Sequence, residues 1–298
     1  MRSIITQKEE IMSFAIGPAL VREQITRKSL RGKKIVVNTY EELNRLLHSK
    51  PVLRDKKGNV TTHISGLFHN TLMLLSQGIK PCFVLDGPFP EIQKHQKTTS
   101  ISTSSRITQT ITPAIIASTK TILTLLGVPV IQSPSEAEAQ AAYMAKKRKV
   151  YAVASQTFDS LLFGAPRIVH NLIPLSKKSY IYDLKQNLKH LQITQDQLIA
   201  LSMLTGTDFN PSIQHMNIKR GLELVKRYKH RTDKLFRFVP WRYQYQWKEV
   251  YDCIKTMPIT NKYKLQWKKP HTELLFEFLV KEHNFSEQKV RNALNKIL

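Results

Sequence analysis

Carboxylates follow three apolar, strand-like runs of this sequence, each a few residues after the run ends. The runs are 82–85, 128–131 and 150–154, and the acids that follow them are Asp86, Glu136, Glu138 and Asp159. In an open parallel α/β sheet, ligands bind at the carboxyl ends of the strands. Four acids gathered at one sheet edge repel one another unless cations lie between them. The pattern therefore predicts a site for a hard metal ion.

The charge of the whole chain indicates a polyanionic partner. Its 298 residues include 46 Lys and Arg against 22 Asp and Glu, which gives a formal net charge of +24. An excess of this size is typical of proteins that bind nucleic acids. A generally cationic soluble surface is the alternative that composition alone leaves open. A basic chain that concentrates its acids in one place is expected to handle phosphates there.

The elements that must position these acids alternate between strands and helices. Strands are predicted at 35–37, 82–85, 128–131, 150–154 and 168–170, and helices between them at 41–48, 63–76, 113–126 and 136–147. This alternation predicts an α/β domain with a parallel sheet and helices on both faces. After about Asp183 only helical patterns follow, at 194–204, 217–228, 241–255, 272–283 and 286–298.

We therefore expect an α/β domain over 1–182 and a helical region over 183–298 that packs on it. Residues 91–112 are rich in Ser and Thr and interrupt the pattern. We expect them to form an insertion over the acidic edge, and a solvated linker is the alternative. The cations of this stretch that would meet phosphates are Lys94, Lys97 and Arg106.

Cysteine content and hydropathy argue against several classes of protein. Cys82 and Cys253 are too few for a disulfide framework or a zinc site. The apolar run 11–21 contains Gly17 and Pro18 and is too short to span a bilayer. We expect a soluble intracellular protein without a membrane partner, nuclear in a eukaryote and otherwise cytoplasmic.

Two of the acidic motifs have plain structural interpretations when each is taken alone. Ser135 and Glu138 have the spacing of a helix capping box, and Asp86 before Gly87 favours a turn. The catalytic interpretation gains weight because these acids share one sheet edge with Asp159. A further acid, Asp208, follows in the motif Gly-Thr-Asp at 206–208.

Taken in order, these and other motifs resemble the flap endonuclease (XPG-type) family of structure-specific 5′ nucleases. The resemblance runs from about Arg31 to the C-terminus and is carried by 62–68, 78–87, 126–129, 134–139, 158–159, 206–208, 219–220 and 267–270. It implies a PIN-like α/β nuclease domain with a helical arch, here short, and a helix-hairpin-helix-like DNA-binding annex. It also implies two Mg²⁺ ions and the cleavage of branched DNA near the base of a 5′ flap, in DNA replication and repair.

The resemblance also implies roles for individual residues. The matching metal-holding, catalytic acids are Asp86, Glu136, Glu138, Asp159 and Asp208. The first three would hold the metal nearest the attacking water, and the last two would hold the second metal. Lys94 or Lys97 would stabilise the charge of the transition state. Lys219 and Arg220 would anchor duplex phosphates away from the cut.

The chain departs from the family pattern at several of these positions. Asn38 and Thr157 occupy slots where the family has aspartates, and neither supplies the negative charge that a hard cation needs. We expect one weakly bound Mg²⁺, or none. Asn44 replaces a stacking tyrosine, and 215–217 lack the glycines of the DNA-gripping hairpin. The arch slots hold Gln93 and Ser100. We expect no sliding-clamp motif at the C-terminus.

Three functions fit these residues. The first, which we favour, is a pseudo-nuclease that binds branched or flap DNA and whose metal-dependent phosphodiesterase activity is lost or severely impaired. The second is a still-active, Mg²⁺-dependent 5′ flap endonuclease. The third is a non-catalytic scaffold that binds a protein partner. Four alternating aromatic residues between 241 and 247 are expected to fill a core, although stacking on bases is an alternative.

Overall fold

A seven-stranded sheet organises the parts of the chain that this computed structural model describes, which are residues 16–92, 110–173 and 178–295. The strands are β1 (Glu23–Ile25), β2 (Lys34–Asn38), β3 (Lys80–Leu85), β4 (Val130–Gln132), β5 (Ala152–Ala154), β6 (Arg167–His170) and β7 (Ser179–Asp183). Their spatial order is β1-β7-β6-β5-β2-β3-β4. The five strands from β6 to β4 are parallel, and β7 and β1 add an antiparallel border. The fold is therefore mixed α/β with a mostly parallel sheet, as the sequence predicts.

The described residues also form twelve α-helices. Those that follow the first strands are α1 (Thr39–Leu47), α2 (Thr62–Ser76), α3 (Pro113–Leu125), α4 (Ala137–Lys146) and α5 (Asp159–Leu162). The others are α6 (Leu184–Leu191), α7 (Gln195–Thr205), α8 (Ile218–Tyr228), α9 (Thr232–Phe238), α10 (Trp247–Lys255), α11 (Thr272–Phe276) and α12 (Glu287–Leu294). A π-helix over Glu277–Glu282 joins α11 to α12.

The parallel strands form because their residues are apolar on both faces. Ile35, Val36 and Val37 of β2 are all buried, as are the four residues 82–85 of β3. Strands of a parallel sheet covered by helices are buried in this way, which explains their continuous apolar runs. One face packs on α1, α2 and α3, and the other packs on the small residues of α4.

The registers of the parallel strands place their carboxyl ends side by side. Asn38, the last residue of β2, pairs with Val84, and Leu85, the last residue of β3, pairs with Gln132. Val37 pairs with Ala154 at the end of β5. Residues that follow β2, β3, β4 and β5 therefore meet at one edge of the sheet.

The helical region packs in two places. Helices α7, α8, α9 and α10 form a second core, in which Trp247 stacks on Phe236 with ring centroids 4.9 Å apart. The expectation that the aromatic residues of 241–247 fill a core is thereby confirmed. An extended strap over 256–271 then returns to the sheet, where the Trp267 indole donates to the Pro81 carbonyl at 2.6 Å. Leu275 and Phe278 beyond the strap join the core of the α/β domain.

The sequence-based elements need several adjustments, among them the short helices α5, α6 and α9, which were not predicted. The five predicted strands are present, with β4 and β5 shifted by about two residues at one end. The border strands β1 and β7 were not predicted, because each is short and partly exposed. The helix expected from residue 241 begins only at Trp247, since 241–246 form a turn stabilised by the Trp241 indole donating to the Tyr245 carbonyl.

Cys82 and Cys253 are both free thiols. No helix in the described ranges is both long enough and apolar enough to cross a bilayer.

Candidate functional site

Three of the predicted acids are buried together beyond the ends of β4 and β5. Glu136 precedes the first residue of α4, Glu138 lies in its first turn, and Asp159 begins α5. Their exposed fractions are 7, 8 and 9%. Burial raises the pKa of Glu138 well above its ordinary value, and the charges of Asp159 and Glu136 add to the effect. We call Asp86, Glu136, Glu138 and Asp159 the acidic edge.

Asp86 joins this edge from the end of β3. Its Oδ1 accepts a hydrogen bond from the backbone N–H of Ala137 at 2.5 Å. Asp86 therefore caps α4 from a different strand, where its negative charge is favoured by the helix dipole. The capping box expected from Ser135 and Glu138 is wrong, since Ser135 Oγ donates to the Pro88 carbonyl instead.

Gly87 lets the loops after β3 and β4 approach each other closely. Its N–H donates to the Ser135 carbonyl at 2.7 Å. A Cβ at this position would lie 2.4 Å from the Ser133 carbonyl oxygen and 2.7 Å from the Pro134 carbonyl carbon. Only glycine therefore fits here, and this contact holds Asp86 against the start of α4.

Replacing Gly87 by alanine is expected to lower the free energy of unfolding by about 1 to 3 kcal/mol, because both clashing partners are backbone. Urea denaturation of the two proteins measures the difference. Gly221→Ala is the matched control, since a Cβ there meets the flexible end of the Leu201 side chain. Equal stability of G87A and the unmodified protein would contradict the packing described.

The two slots where the family has aspartates carry neutral side chains that are engaged in internal hydrogen bonds. The Asn38 side-chain oxygen caps α1, accepting from the N–H groups of Tyr40 at 3.1 Å and Glu41 at 3.4 Å. The Thr157 hydroxyl donates to Glu138 Oε1 at 2.8 Å. Asn38 therefore serves as a helix cap, and Thr157 as a donor to a buried carboxylate.

Glu41 is an additional acid of this site that the sequence analysis missed. Its Oε2 accepts from Ser155 Oγ at 2.8 Å, and its Oε1 accepts from the backbone N–H of Gln156. Burial raises the pKa of Glu41 to about 7, and the charges of Glu42 and Asp159 contribute. The sequence could have indicated it, because functional acids are expected after the ends of parallel strands and Glu41 lies in the first helical turn after β2.

A continuous chain of hydrogen bonds joins Glu41 to Glu138. Ser155 Oγ donates to Glu41 and accepts from the backbone N–H of Thr157 at 2.9 Å. The Thr157 hydroxyl then donates to Glu138. Hydroxyl and amide donors thus stabilise two buried carboxyl groups in the place where a family member would have one more aspartate.

A cavity of about 460 Å³ opens beside this chain of hydrogen bonds. Glu41, Asn44 and Gln156 contribute polar groups to its wall, and Leu172 and Ile173 contribute apolar ones. Asn44 stands where the resemblance implies a stacking tyrosine, and it lines this cavity together with Glu41.

The remaining predicted residues lie on the helical region or outside the described residues. Asp208 is on the turn after α7, where the Thr207 hydroxyl accepts from the N–H of Phe209 at 3.0 Å. Its place among the metal ligands stays a prediction. Lys219 and Arg220 are exposed in the first turn of α8. The predicted arch residues Lys94, Lys97 and Arg106, with the slots Gln93 and Ser100, lie outside the described residues.

The turn before α8 contains a backbone conformation that is typical of glycine, although residues 215–217 include no glycine. His215 has φ of +59°, a left-handed conformation that favours glycine. Asn217 caps α8, its side-chain oxygen accepting from the N–H of Arg220 at 2.9 Å. A left-handed residue and a side-chain cap thus define the entry to α8.

The donor chemistry of the acidic edge suits Mg²⁺, but the arrangement does not fit a two-ion site. Carboxylate oxygens are the ligands that Mg²⁺ prefers. Within the described ranges, however, no three acid, His or Cys side chains are placed as a set of metal ligands. The Asn38 oxygen already accepts two backbone hydrogen bonds, and the Thr157 hydroxyl hydrogen points to Glu138.

Comparison with known proteins gives consistent relatives along the chain. Residues 10–106 match the XPG N-terminal domain, and residues 127–208 match the XPG I-region. Flap endonuclease 1 of Pyrococcus furiosus is 35% identical, over 96% of this chain and 95% of that protein. Flap endonuclease 1 of Staphylothermus marinus is 33% identical, over 91% of this chain and 89% of that protein.

Solved structures agree in fold. Flap endonuclease-1 from Methanococcus jannaschii superposes with a TM-score of 0.84 at 29% identity, covering 95% of this chain and 97% of that one. The catalytic core of Rad2 in complex with a DNA substrate has a TM-score of 0.80 at 21% identity, over 96% of this chain and all of that one, which supports the fold alone. Sequence and fold agree, and the chain belongs to the flap endonuclease (XPG-type) family.

Proposed function

We propose that this protein binds branched or flap DNA inside the cell and that its Mg²⁺-dependent phosphodiesterase activity is severely impaired. The observation that carries the proposal is the hydrogen bond from the Thr157 hydroxyl to Glu138. This hydroxyl donor only partly offsets the burial that raises the pKa of Glu138, and it stands where a family aspartate would add a negative charge for a cation. The division into a nuclease-type domain over 1–182 and a DNA-binding region over 183–298 is part of the proposal.

The loss of charge argues against two tightly bound metal ions. In two-metal hydrolysis, both ions must be held about 4 Å apart so that one activates water and the other stabilises the leaving oxygen. Asn38 and Thr157 each remove a negative charge from this arrangement. The site roles assigned to Asp86, Glu136, Glu138, Asp159 and Asp208 therefore describe the ancestral reaction of the family.

DNA binding is supported by features that do not depend on the metal. The net charge of +24 favours phosphate contacts. Lys219 and Arg220 are exposed at the start of α8, where the positive end of the helix dipole also attracts phosphates. Such contacts position a duplex without reading its sequence.

A labelled 5′-flap substrate tests the proposal. We expect the protein to retain the flap with Mg²⁺ or Mn²⁺ present and to release very little product. Binding is measured separately by fluorescence anisotropy without metal. A metal-dependent product that disappears in Glu138→Ala would overturn the proposed loss of activity. The absence of measurable DNA affinity at about 50 mM salt would instead favour a protein scaffold.

An active flap endonuclease is the second candidate, because Glu41 adds a carboxyl group to the site. Its side chain lies next to the slot of Asn38 and is electrostatically coupled to Asp159. The named relatives are also flap endonucleases. Under this alternative, Glu41→Gln would abolish cleavage of the flap substrate. Under our proposal the same variant has the low activity of the unmodified protein.

Removing the two charges at the start of α8 is expected to reduce the salt dependence of DNA binding. In Lys219→Gln with Arg220→Gln, the slope of log K against log salt should fall by about one per residue. Lys226→Gln with Arg227→Gln is the matched control, since these exposed residues lie at the other end of the same helix. An equal slope in both double variants would refute the assigned role.

A further inference from the structure

Two adjoining grooves lie at the amino ends of the parallel strands, at the opposite end of the sheet from the acidic edge. Lys34 begins β2, and Arg167 begins β6. The turn 146–149 connects α4 to β5 and borders both grooves. Four residue steps separate Lys34 from Asn38, which is about 13 Å along an extended strand. We call these the amino-edge grooves.

The amino-edge grooves are lined by cations. Their volumes are about 650 and 820 Å³. The cations that line one or both are Lys33, Lys34, Lys146, Lys147, Arg148, Lys149 and Arg167. Among the described residues, neither groove has an acidic residue in its lining. Asp183, which lines a neighbouring groove, forms an ion pair with Arg167 at 3.6 Å. Within these linings, the other six cations are left as an uncompensated positive surface.

Aromatic rings hold several of these cations in place. The Lys33 ammonium lies 5.1 Å from the centroid of the Tyr151 ring, and the Arg167 guanidinium lies 4.9 Å from it. The Lys34 ammonium lies 5.6 Å from the centroid of the Trp267 ring. Cations within about 6 Å of a ring face are attracted to it. The positive groups are therefore partly ordered before any ligand arrives.

Helix stability accounts for only part of this pattern. Lys146 and Lys147 lie at the C-terminal end of α4, where a positive charge is favoured by the helix dipole. Lys33, Lys34 and Arg167 lie on strands or on the turn before one, so the dipole of α4 does not explain them. A second reason for the cluster is needed.

We infer that the amino-edge grooves bind the phosphate backbone of a nucleic-acid segment, separate from the DNA held near α8. The two grooves share Lys34, Arg148 and Lys149, so they form one positive track. A nucleic-acid strand carries one phosphate per 3.4 Å of helix axis, roughly. It would therefore meet several of these cations in succession. This inference does not depend on whether cleavage survives.

An anionic membrane is a less suitable partner. The exposed large apolar side chains of the described residues are Val21, Val52, Leu53, Phe238, Ile259 and Leu274. None of them lines the amino-edge grooves. Peripheral membrane binding combines charge with apolar groups that insert into the bilayer, whereas the apolar residues of these grooves, such as Leu265, are partly buried in a concave lining.

The test uses the full chain, a blunt DNA duplex and the triple variant Lys146→Gln, Lys147→Gln and Lys149→Gln. Each lost phosphate contact lowers the slope of log K against log salt by about 0.9, so the expected drop is about two to three. Lys28→Gln, Lys56→Gln and Lys57→Gln form the control, because they remove the same charge from exposed positions outside both the grooves and the proposed DNA-binding region. We expect the control slope to fall by less than about one.

A second variant keeps the inference testable if the triple variant fails to fold. Lys33→Gln with Lys34→Gln removes charge from the other wall of the same track and should lower the slope by about two. Equal slopes in the groove variants and the control would overturn the inference. The inference would also be overturned if the groove variants lost binding to phosphatidylserine vesicles while their DNA binding did not change. If the groove variants lower the slope for duplex DNA as expected but the protein does not prefer flap DNA, only the proposed function is wrong and this inference stands.

Discussion

Replacing Asn38 and Thr157 together by aspartate should raise Mg²⁺-dependent cleavage of a 5′ flap by about 100-fold or more. Residues that merely orient metal ligands already change metal affinity or activity by about 10- to 100-fold. The double variant restores two negative charges at the acidic edge. The Asn38→Asp change would also keep the cap of α1, since aspartate and asparagine are equally good at that position.

The same double variant should become dependent on Mg²⁺ for stability. Thr157→Asp removes the hydroxyl that donates to Glu138 and places a second charge next to it. An uncompensated buried charge costs about 3 to 5 kcal/mol. Mg²⁺ at 100 times its dissociation constant would return about 2.7 kcal/mol. Urea denaturation with and without Mg²⁺ measures this effect without any reference to activity.

Asn38→Ser with Thr157→Ser is the control for this experiment, because serine keeps a short oxygen at both positions without adding charge. We expect Mg²⁺ to have no effect on its unfolding. If Mg²⁺ fails to stabilise the aspartate variant, the acids of this edge do not converge on a cation, and the assigned ancestral site is wrong.

Glu41→Gln is expected to raise the free energy of unfolding at pH 8 by about 3 kcal/mol. The pKa of Glu41 is raised to about 7 by burial, and a shift of this size corresponds to roughly 3 kcal/mol. A raised acid pKa means that the folded protein binds the extra proton between about pH 4.5 and 7. The stability contributed by the protonated form is therefore present at pH 4.5 and is lost as the pH rises through 7.

The measurement is urea denaturation of both proteins from pH 4.5 to 8. The difference between them should be near zero at the acid end and grow as the pH rises. Two buried histidines act in the opposite direction, since burial lowers the pKa values of His63 and His170 to about 4. Their contribution is lost as the pH falls below about 6.5. It is common to both proteins, so it cancels in the difference.

Glu282→Gln serves as the control, because Glu282 is exposed on the C-terminal helices. A pH-independent difference for Glu41→Gln would show that its carboxyl group is not held in the buried hydrogen bonds described here.

The strand ends are the part of the molecule that local pattern predicts well. The apolar runs at 35–37 and 82–85 are long enough to mark buried parallel strands, and Asp86 directly follows the second run, whereas Glu41 after the first run was missed. β7 was missed because Ser179–Asp183 covers only five positions and shows no regular alternation of buried and partly exposed residues. Such a short strand becomes recognisable only once its partners β6 and β1 are in place.

The sequence by itself determined the α/β fold class, the positive charge and the neutral residues Asn38 and Thr157 in acid slots. Only the tertiary structure decided what these residues do. Asp86 caps α4 from another strand, and Thr157 connects Glu138 to Ser155 and Glu41. The physical reason is that these contacts join residues as many as 115 positions apart, and their geometry is set by strand order and register, which no local pattern encodes.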